Sequence, residues 1–192
     1  MKTLLSTLVA VLVAGQALAL GDGVWHRETN GDWVAYKTAN FTHANSATEK
    51  YMTFDSLPAY LFNSNGYRHI TIKAYGHVRA AADATLDVNV NMGGTPHETV
   101  QHTFGGTTNG IQFVVEAHGT IRSSGSGGTV IWSLVTGSAD PSSTPMTEGK
   151  IANATDTLDT TTGQMPSISL DWGAASGLNS ATLFQAEARV SR

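Results

Sequence analysis

The sequence predicts an all-β protein, a two-sheet antiparallel sandwich with an N-terminal strand-like arm, and three observations predict it. Only 14% of the 192 residues are charged, against roughly 25% in an average domain. Small polar residues take their place, with 25 Thr, 20 Gly, 16 Ser and 10 Asn; helix-forming Glu, Lys and Arg are scarce, which disfavours helix and suits strands and turns. After residue 66, apolar and polar side chains alternate with a period of two over long runs, the mark of strands with one face on a core and one in water. Jelly-roll topology is favoured, and an immunoglobulin-like strand order stays open.

Composition also narrows function. The chain has no cysteine, which excludes a disulfide framework, a Cys-based zinc site and a thiol nucleophile. A formal net charge of -4 lacks the basic excess of a dedicated nucleic-acid binder.

From the N-terminus, residues 1–40 are read as an arm or attachment segment and residues 41–192 as the sandwich domain. Met1 to Ala19 has two readings. Lys2, the apolar run Leu4 to Ala14 and Ala17-Leu18-Ala19 fit a signal peptide, residues 1–19. The same residues also read as strands Thr3 to Val9 and Gln16 to Leu20 closed by the turn Gly21-Asp22-Gly23. The run is too short and too broken by Ser6, Thr7, Gly15 and Gln16 to span a membrane. The arm is the favoured reading. An arm exposing Leu4, Leu5, Leu8, Val9 and Leu12 would aggregate unless other subunits cover it, so these residues are candidate subunit or capsid contacts. Trp25 and Trp33 join them as contact or core residues; they flank a hairpin-like segment whose Asn30-Gly31 is a strong turn signal.

The strands follow. In Tyr67 to Ala80, Ile70, Ile72, Ala74, Gly76, Val78 and Ala80 form an apolar face. Leu86, Val88, Val90 and Met92 face inward in the next strand, with Thr85, Asp87, Asn89 and Asn91 outward. Ile111, Phe113, Val115, Ala117 and Ile121 form a third strand, and Val130, Trp132 and Leu134 a fourth. Ile168, Leu170 and Trp172 follow, and Thr182, Phe184, Ala186, Ala188 and Val190 are the expected inward positions of the last. Ala81-Ala82-Asp83, Gly93-Gly94-Thr95-Pro96, Gly105 to Gly110 and the SSGSGG run Ser123 to Gly128 are the joints. No segment longer than one turn has helical periodicity.

No catalytic signature appears, so the expectation is a non-enzymatic protein without cofactor or metal. His97 and His102 are five positions apart, which in a regular strand puts them on opposite faces; His77 and His118 could face one another across strands, but no carboxylate completes a motif. Gly125-Ser126-Gly127 is not a nucleophile elbow. Asp87, Glu116, Asp171 and Glu187 sit in separate strands, and their pairing depends on the fold. The stripe His69, Lys73, Tyr75, His77 and Arg79 is the most unusual surface, a candidate interface with a partner subunit or an anionic polymer, or the ordinary outer face of a sheet.

The order ITIKAYGHVRAAA, TLDVNVNMGGT, FVVEAHGTIRSSGSGGTV and a Thr/Asp-rich stretch leading to a tryptophan strand resembles the jelly-roll structural proteins of tailed bacteriophage virions, the kind that decorate heads or build fibres and spikes. Asp159-Thr160-Thr161, Trp172 to Ser176 and Asn179-Ser180 match the ending that recurs in that family, and Leu4-Leu5-Ser6 with Gly15-Gln16-Ala17-Leu18 resembles the first strands of some members. The resemblance covers about two thirds of the chain and rests on turn and packing signatures. It implies a virion structural protein attached to the capsid or tail through its N-terminal segment. The implied partners are other copies of itself, most plausibly as a trimer, and major capsid or tail proteins, with no nucleic acid and no membrane. The alternative is a secreted carbohydrate-binding β-sandwich module with a cleaved signal peptide.

Overall fold

Alternation resolves into two antiparallel sheets. The computed structural model describes residues 22–64, 66–139 and 150–192, side chains 64, 138–139 and 150–153 apart. The strands are β1 (His26–Arg27), β2 (Trp33–Lys37), β3 (Phe41–Ala44), β4 (Lys50–Thr53), β5 (His69–Ala80), β6 (Thr85–Met92), β7 (Thr95–Thr103), β8 (Thr108–Ser123), β9 (Gly128–Ala139), β10 (Lys150–Leu158), β11 (Pro166–Trp172) and β12 (Ser180–Ser191). One helical turn, α1 (Leu61–Ser64), precedes β5. The larger sheet runs β1-β2-β12-β5-β8-β9-β10, with β3 paired to the start of β12; the smaller runs β4-β11-β6-β7. The chain crosses between sheets after β3, β4, β5, β7, β10 and β11, a jelly-roll-like manner of closing a sandwich.

The apolar faces predicted for β5, β6, β8, β9 and β11 all turn inward. Trp132, Trp172, Tyr67, Phe54, Phe62 and Phe113 are the largest fully buried side chains, each worth about 1.5–3 kcal/mol of burial. Trp132 lies against Gly119, its direct cross-strand partner, where an added Cβ would come within 2.8 Å of the indole. The family-like turn residues serve packing. Asp159 accepts hydrogen bonds from Thr161 N (2.9 Å) and Oγ1 (2.6 Å). Buried Asn179 accepts from Ala81 N (3.0 Å) and donates to Ala174 O (3.1 Å), tying the two loops at one end of the sandwich. Gly31, with φ of 92°, makes the turn between β1 and β2.

Four expectations need correction. First, β2 pairs with β12 from Trp33↔Val190 to Lys37↔Ala186, so residues 26–37 belong to the sandwich and not to a separate arm ending at 40. Second, His97 and His102 are both buried on the inner side of β7, because the β6–β7 register shifts between Val90 and Asn91 and inserts His97 as an extra residue. Third, a register shift between Leu183 and Gln185 bulges β12, so Ala181 and Leu183 point inward while Phe184 is exposed. Gly76 accommodates the bulge: a Cβ there would lie 1.9 Å from Thr182 O. Fourth, His77 and His118 do not face each other; their partners across β5 and β8 are Gln112 and Thr71.

Candidate functional site

β5 places the whole predicted stripe on the outer face of the larger sheet. His69, Tyr75, His77 and Arg79 are exposed and Lys73 is half-buried. Lys73 Nζ lies 2.7 Å from Glu116 Oε1 on β8, and His118 Nε2 lies 2.9 Å from the same oxygen. The Lys73 hydrogen bond, aided by the charges of Lys73 and His118, holds the Glu116 carboxyl below its usual range despite some burial. Towards β2, Arg189 of β12 gathers Glu28 (3.1 Å), Asp32 (3.2 Å) and Glu187 (3.4 Å). Beside these charge groups, one step further along β5 towards His77 and Arg79, lies an apolar cluster. Tyr75 is 49% exposed and pairs directly with Val114, itself 37% exposed; Phe184 is 39% exposed. The Phe184 ring meets His77 edge-on at 4.8 Å.

The outer face of the smaller sheet is polar and interlocked. Ser169 Oγ donates to Glu49 Oε1, and Asn89 Nδ2 donates to Glu49 Oε1 (2.9 Å) and Ser169 Oγ (3.1 Å). Asn91 Nδ2 also donates to Ser169 Oγ (3.1 Å), and Thr99 Oγ1 to Asn89 Oδ1 (2.6 Å). Burial opposes ionisation of Glu49, but hydrogen bonds from Ser169, Tyr51 and Asn89 outweigh it and hold the carboxyl below the usual range. Asp171 behaves oppositely. It stands directly across from Asp87, and burial together with the charges of Glu49 and Asp87 pushes its carboxyl up, with His43 only partly offsetting them. The fold thus brings Asp87 and Asp171 together and sets Glu116 and Glu187 on either side of Lys73.

A third feature is a cleft of about 270 Å³ between the β6–β7 turn and the Asp159–Gln164 connection from β10 to β11. Gly93 and Gly94, with φ of 62° and 84°, make the tight turn on one side, and Gly93 N donates to Met165 O (3.2 Å). On the other side Gln164 Nε2 donates to Asp159 O and to Thr162 Oγ1 (3.0 Å), which leaves Gln164 Oε1 beside Gly93. His97 also lines the cleft; its ring stacks on Trp132 at 6.1 Å, and its Nδ1 lies 3.4 Å from Asp156 Oδ2. Its Nε2 is buried with no hydrogen-bond partner among the described residues. Among the described residues no group of three His, Asp or Glu could hold a metal ion.

Of the other predicted contacts, Trp25 belongs to the core and donates from Nε1 to Asp55 O (2.7 Å), while Trp33 is half-buried against it. Leu4, Leu5, Leu8, Val9 and Leu12 lie outside the described residues. Sequence reasoning missed Val114 and Phe184 as surface residues, although the adjacent apolar pairs Val114-Val115 and Leu183-Phe184 break strict alternation. It also missed the cleft, whose walls come from segments about 65 residues apart with no local motif between them.

No protein-family model matches the chain, and no curated protein matches it. Solved structures do. A peanut lectin with a nine-residue peptide has a TM-score of 0.39 and 10% identity, over 88% of this chain and 90% of that one. The winged bean acidic lectin complexed with methyl-α-D-galactose has a TM-score of 0.38 and 9% identity, over 87% and 89%. The CBM2 module of the evolved Dit of Lactobacillus casei BL23 phage J-1 has a TM-score of 0.36 and 11% identity, over 88% and 79%. Likeness at this level transfers neither site nor ligand.

Proposed function

We propose that this chain is a non-enzymatic structural protein of a tailed bacteriophage virion, decorating the capsid or forming part of a fibre or tail structure and attached through its N-terminal segment. The observation that carries the reading is the outer face of the larger sheet. There Tyr75, Val114 and Phe184 form an exposed apolar cluster, bounded along β5 by Lys73 with Glu116 on one side and by exposed His77 and Arg79 on the other. An aromatic centre inside a polar rim is the composition of a subunit contact, and self-association around a symmetry axis is the commonest way to use one. The occupant of this face in the proposal is another copy of the chain, as a trimer. Light scattering should give a multiple of 20.2 kDa that falls to the monomer in Tyr75→Ser/Phe184→Ser with an unchanged circular dichroism spectrum. A wild-type monomer overturns the self-contact. Mass spectrometry of purified particles should find the chain starting at Met1 or Lys2; a start at Leu20, or absence from particles, overturns the virion role.

A second reading, a carbohydrate-binding β-sandwich, is favoured by one observation: the cleft beside Gly93 is walled by hydroxyl and amide groups held in place by backbone and side-chain hydrogen bonds.

A further inference from the structure

We infer that the cleft between the Gly93-Gly94 turn and the Asp159–Gln164 connection is a binding site for a single neutral hydroxylated ring, a monosaccharide unit; the inference rests on the second reading and places its site. Three features support it. The first is unused hydrogen-bonding capacity. His97 is only 7% exposed, and its Nδ1 faces Asp156 Oδ2 at 3.4 Å, yet its Nε2 is buried without a hydrogen-bond partner among the described residues. A buried polar atom left unpaired is costly, and such atoms in native structures call for a ligand, an ion or water. The hydroxyls of Thr95 and Thr157 line the same cleft and make no hydrogen bond among the described residues. The second is preorganisation. Gln164 cannot rotate freely, because its Nε2 is held by Asp159 O and Thr162 Oγ1, so Oε1 stays fixed beside the Gly93 turn as an acceptor. A Cβ at residue 93 would come within 2.9 Å of that oxygen, so glycine there keeps the amide in place.

The third feature is charge. Among the described residues no Lys or Arg lines the cleft, which together with the Asp159 carboxylate disfavours an anion, and Oδ1 of that carboxylate is already occupied by Thr161. With no three-ligand cluster among the described residues a metal is disfavoured too. What remains is a set of hydroxyl, amide and imidazole groups beside the single Asp159 carboxylate, with Met92 and Leu158 as apolar walls, which matches a ring bearing hydroxyls on its edge and C–H groups on its face. A volume of about 270 Å³ falls just below the roughly 300–1,000 Å³ of typical ligand sites, and suits one ring rather than an oligomer.

The experiment is titration of the full chain, followed by amide chemical shifts, with the methyl glycosides of glucose, galactose, mannose and N-acetylglucosamine. At least one should bind and shift the amides of Gly93, Thr95, Thr157 and Gln164. Thr157→Val, which removes one hydroxyl at constant shape, and His97→Phe, which keeps a ring on Trp132, should each weaken that binding about tenfold or more. Thermal unfolding of Thr157→Val should match wild type, so that its loss of binding is not a loss of fold. Binding that persists in both variants, or shifts that fall on other amides, overturns the cleft while leaving a sugar-binding protein. Failure of every glycoside to bind overturns the cleft and the second reading together.

Discussion

At the scale of single residues, the two carboxylates facing each other on the smaller sheet carry a measurable consequence. Asp171 and Asp87 are direct cross-strand partners, and Glu49 adds a third negative charge nearby. Like charges directly opposite on neighbouring strands destabilise a sheet by roughly 0.2–1 kcal/mol. Burial and these neighbours raise the Asp171 carboxyl above its ordinary value, so the folded chain holds that proton at a pH where the unfolded chain has released it. Stability therefore rises as pH falls through the raised value and is lowest, for this group, above it. Once the medium is acid enough to protonate Asp171 in both states, its contribution vanishes. Asp171→Asn should therefore be more stable than wild type near pH 7 by about 0.2–1 kcal/mol, with the gain fading in acid, as urea unfolding at a series of pH values would show. A variant equally or less stable at neutral pH would mean that hydrogen bonds lost with the carboxylate outweigh the repulsion relieved.

At the scale of elements, legibility followed burial. Strands that put a full apolar face on the core, such as β5 with Ile70, Ile72, Ala74 and Val78, could be read residue by residue. After residue 66 two strands could not, and both are edges: β7 of the smaller sheet and β10 of the larger. β7 starts Thr95-Pro96 and reads as turn, since proline cannot donate to a ladder and is tolerated at a strand start or on an edge. β10 reads KIANATDTL, where Thr, Asn and Asp replace an alternating apolar set, as suits an edge that must not pair with other chains. The bulges escaped notice for another reason: inserting one residue reverses every later face, and the local sign of it in β12 is no more than the adjacent apolar pair Leu183-Phe184. The candidate site suffered from both. His97 is placed by a bulge, Phe184 by another, and Thr157 and Gln164 flank the unread end of β10. The same hierarchy predicts hydrogen exchange. Central β5, β8 and β12 are paired on both sides, so the amides of Ile70–Val78, Phe113–Ala117 and Ala186–Val190 should exchange slowest, near the global unfolding limit. Two-residue β1 and four-residue β3 should exchange far faster. Protection in β1 equal to that in β5 would indicate that something further covers that edge.

For the whole molecule, the decisive question is what the first residues contribute beyond the sandwich. The core cluster is built from Trp25 to Val190, and the larger sheet begins at His26, so the described sandwich closes with side chains that all follow residue 22. Lys37, Thr38 and Asp22 then tie the entry of the chain: Asp22 Oδ1 accepts from Thr38 N (2.7 Å) and Oδ2 lies 3.2 Å from Lys37 Nζ. In the proposed virion role the apolar stretch through Leu4, Leu5, Leu8, Val9 and Leu12 makes the attachment, and each such side chain buried against a partner contributes about 1.5–3 kcal/mol. Several together exceed the cost of holding two bodies in register. Deleting Met1 to Leu20 should leave a soluble protein with a β-dominated circular dichroism spectrum and a cooperative thermal transition, yet one that is no longer incorporated into particles. The two readouts separate the roles. Truncated protein present on purified particles at normal copy number would move attachment to the Tyr75–Phe184 face, where Tyr75→Ser/Phe184→Ser should then abolish it. Truncation that abolishes the thermal transition would instead make the segment part of the folded body, because only side chains that complete the core can be that costly to remove.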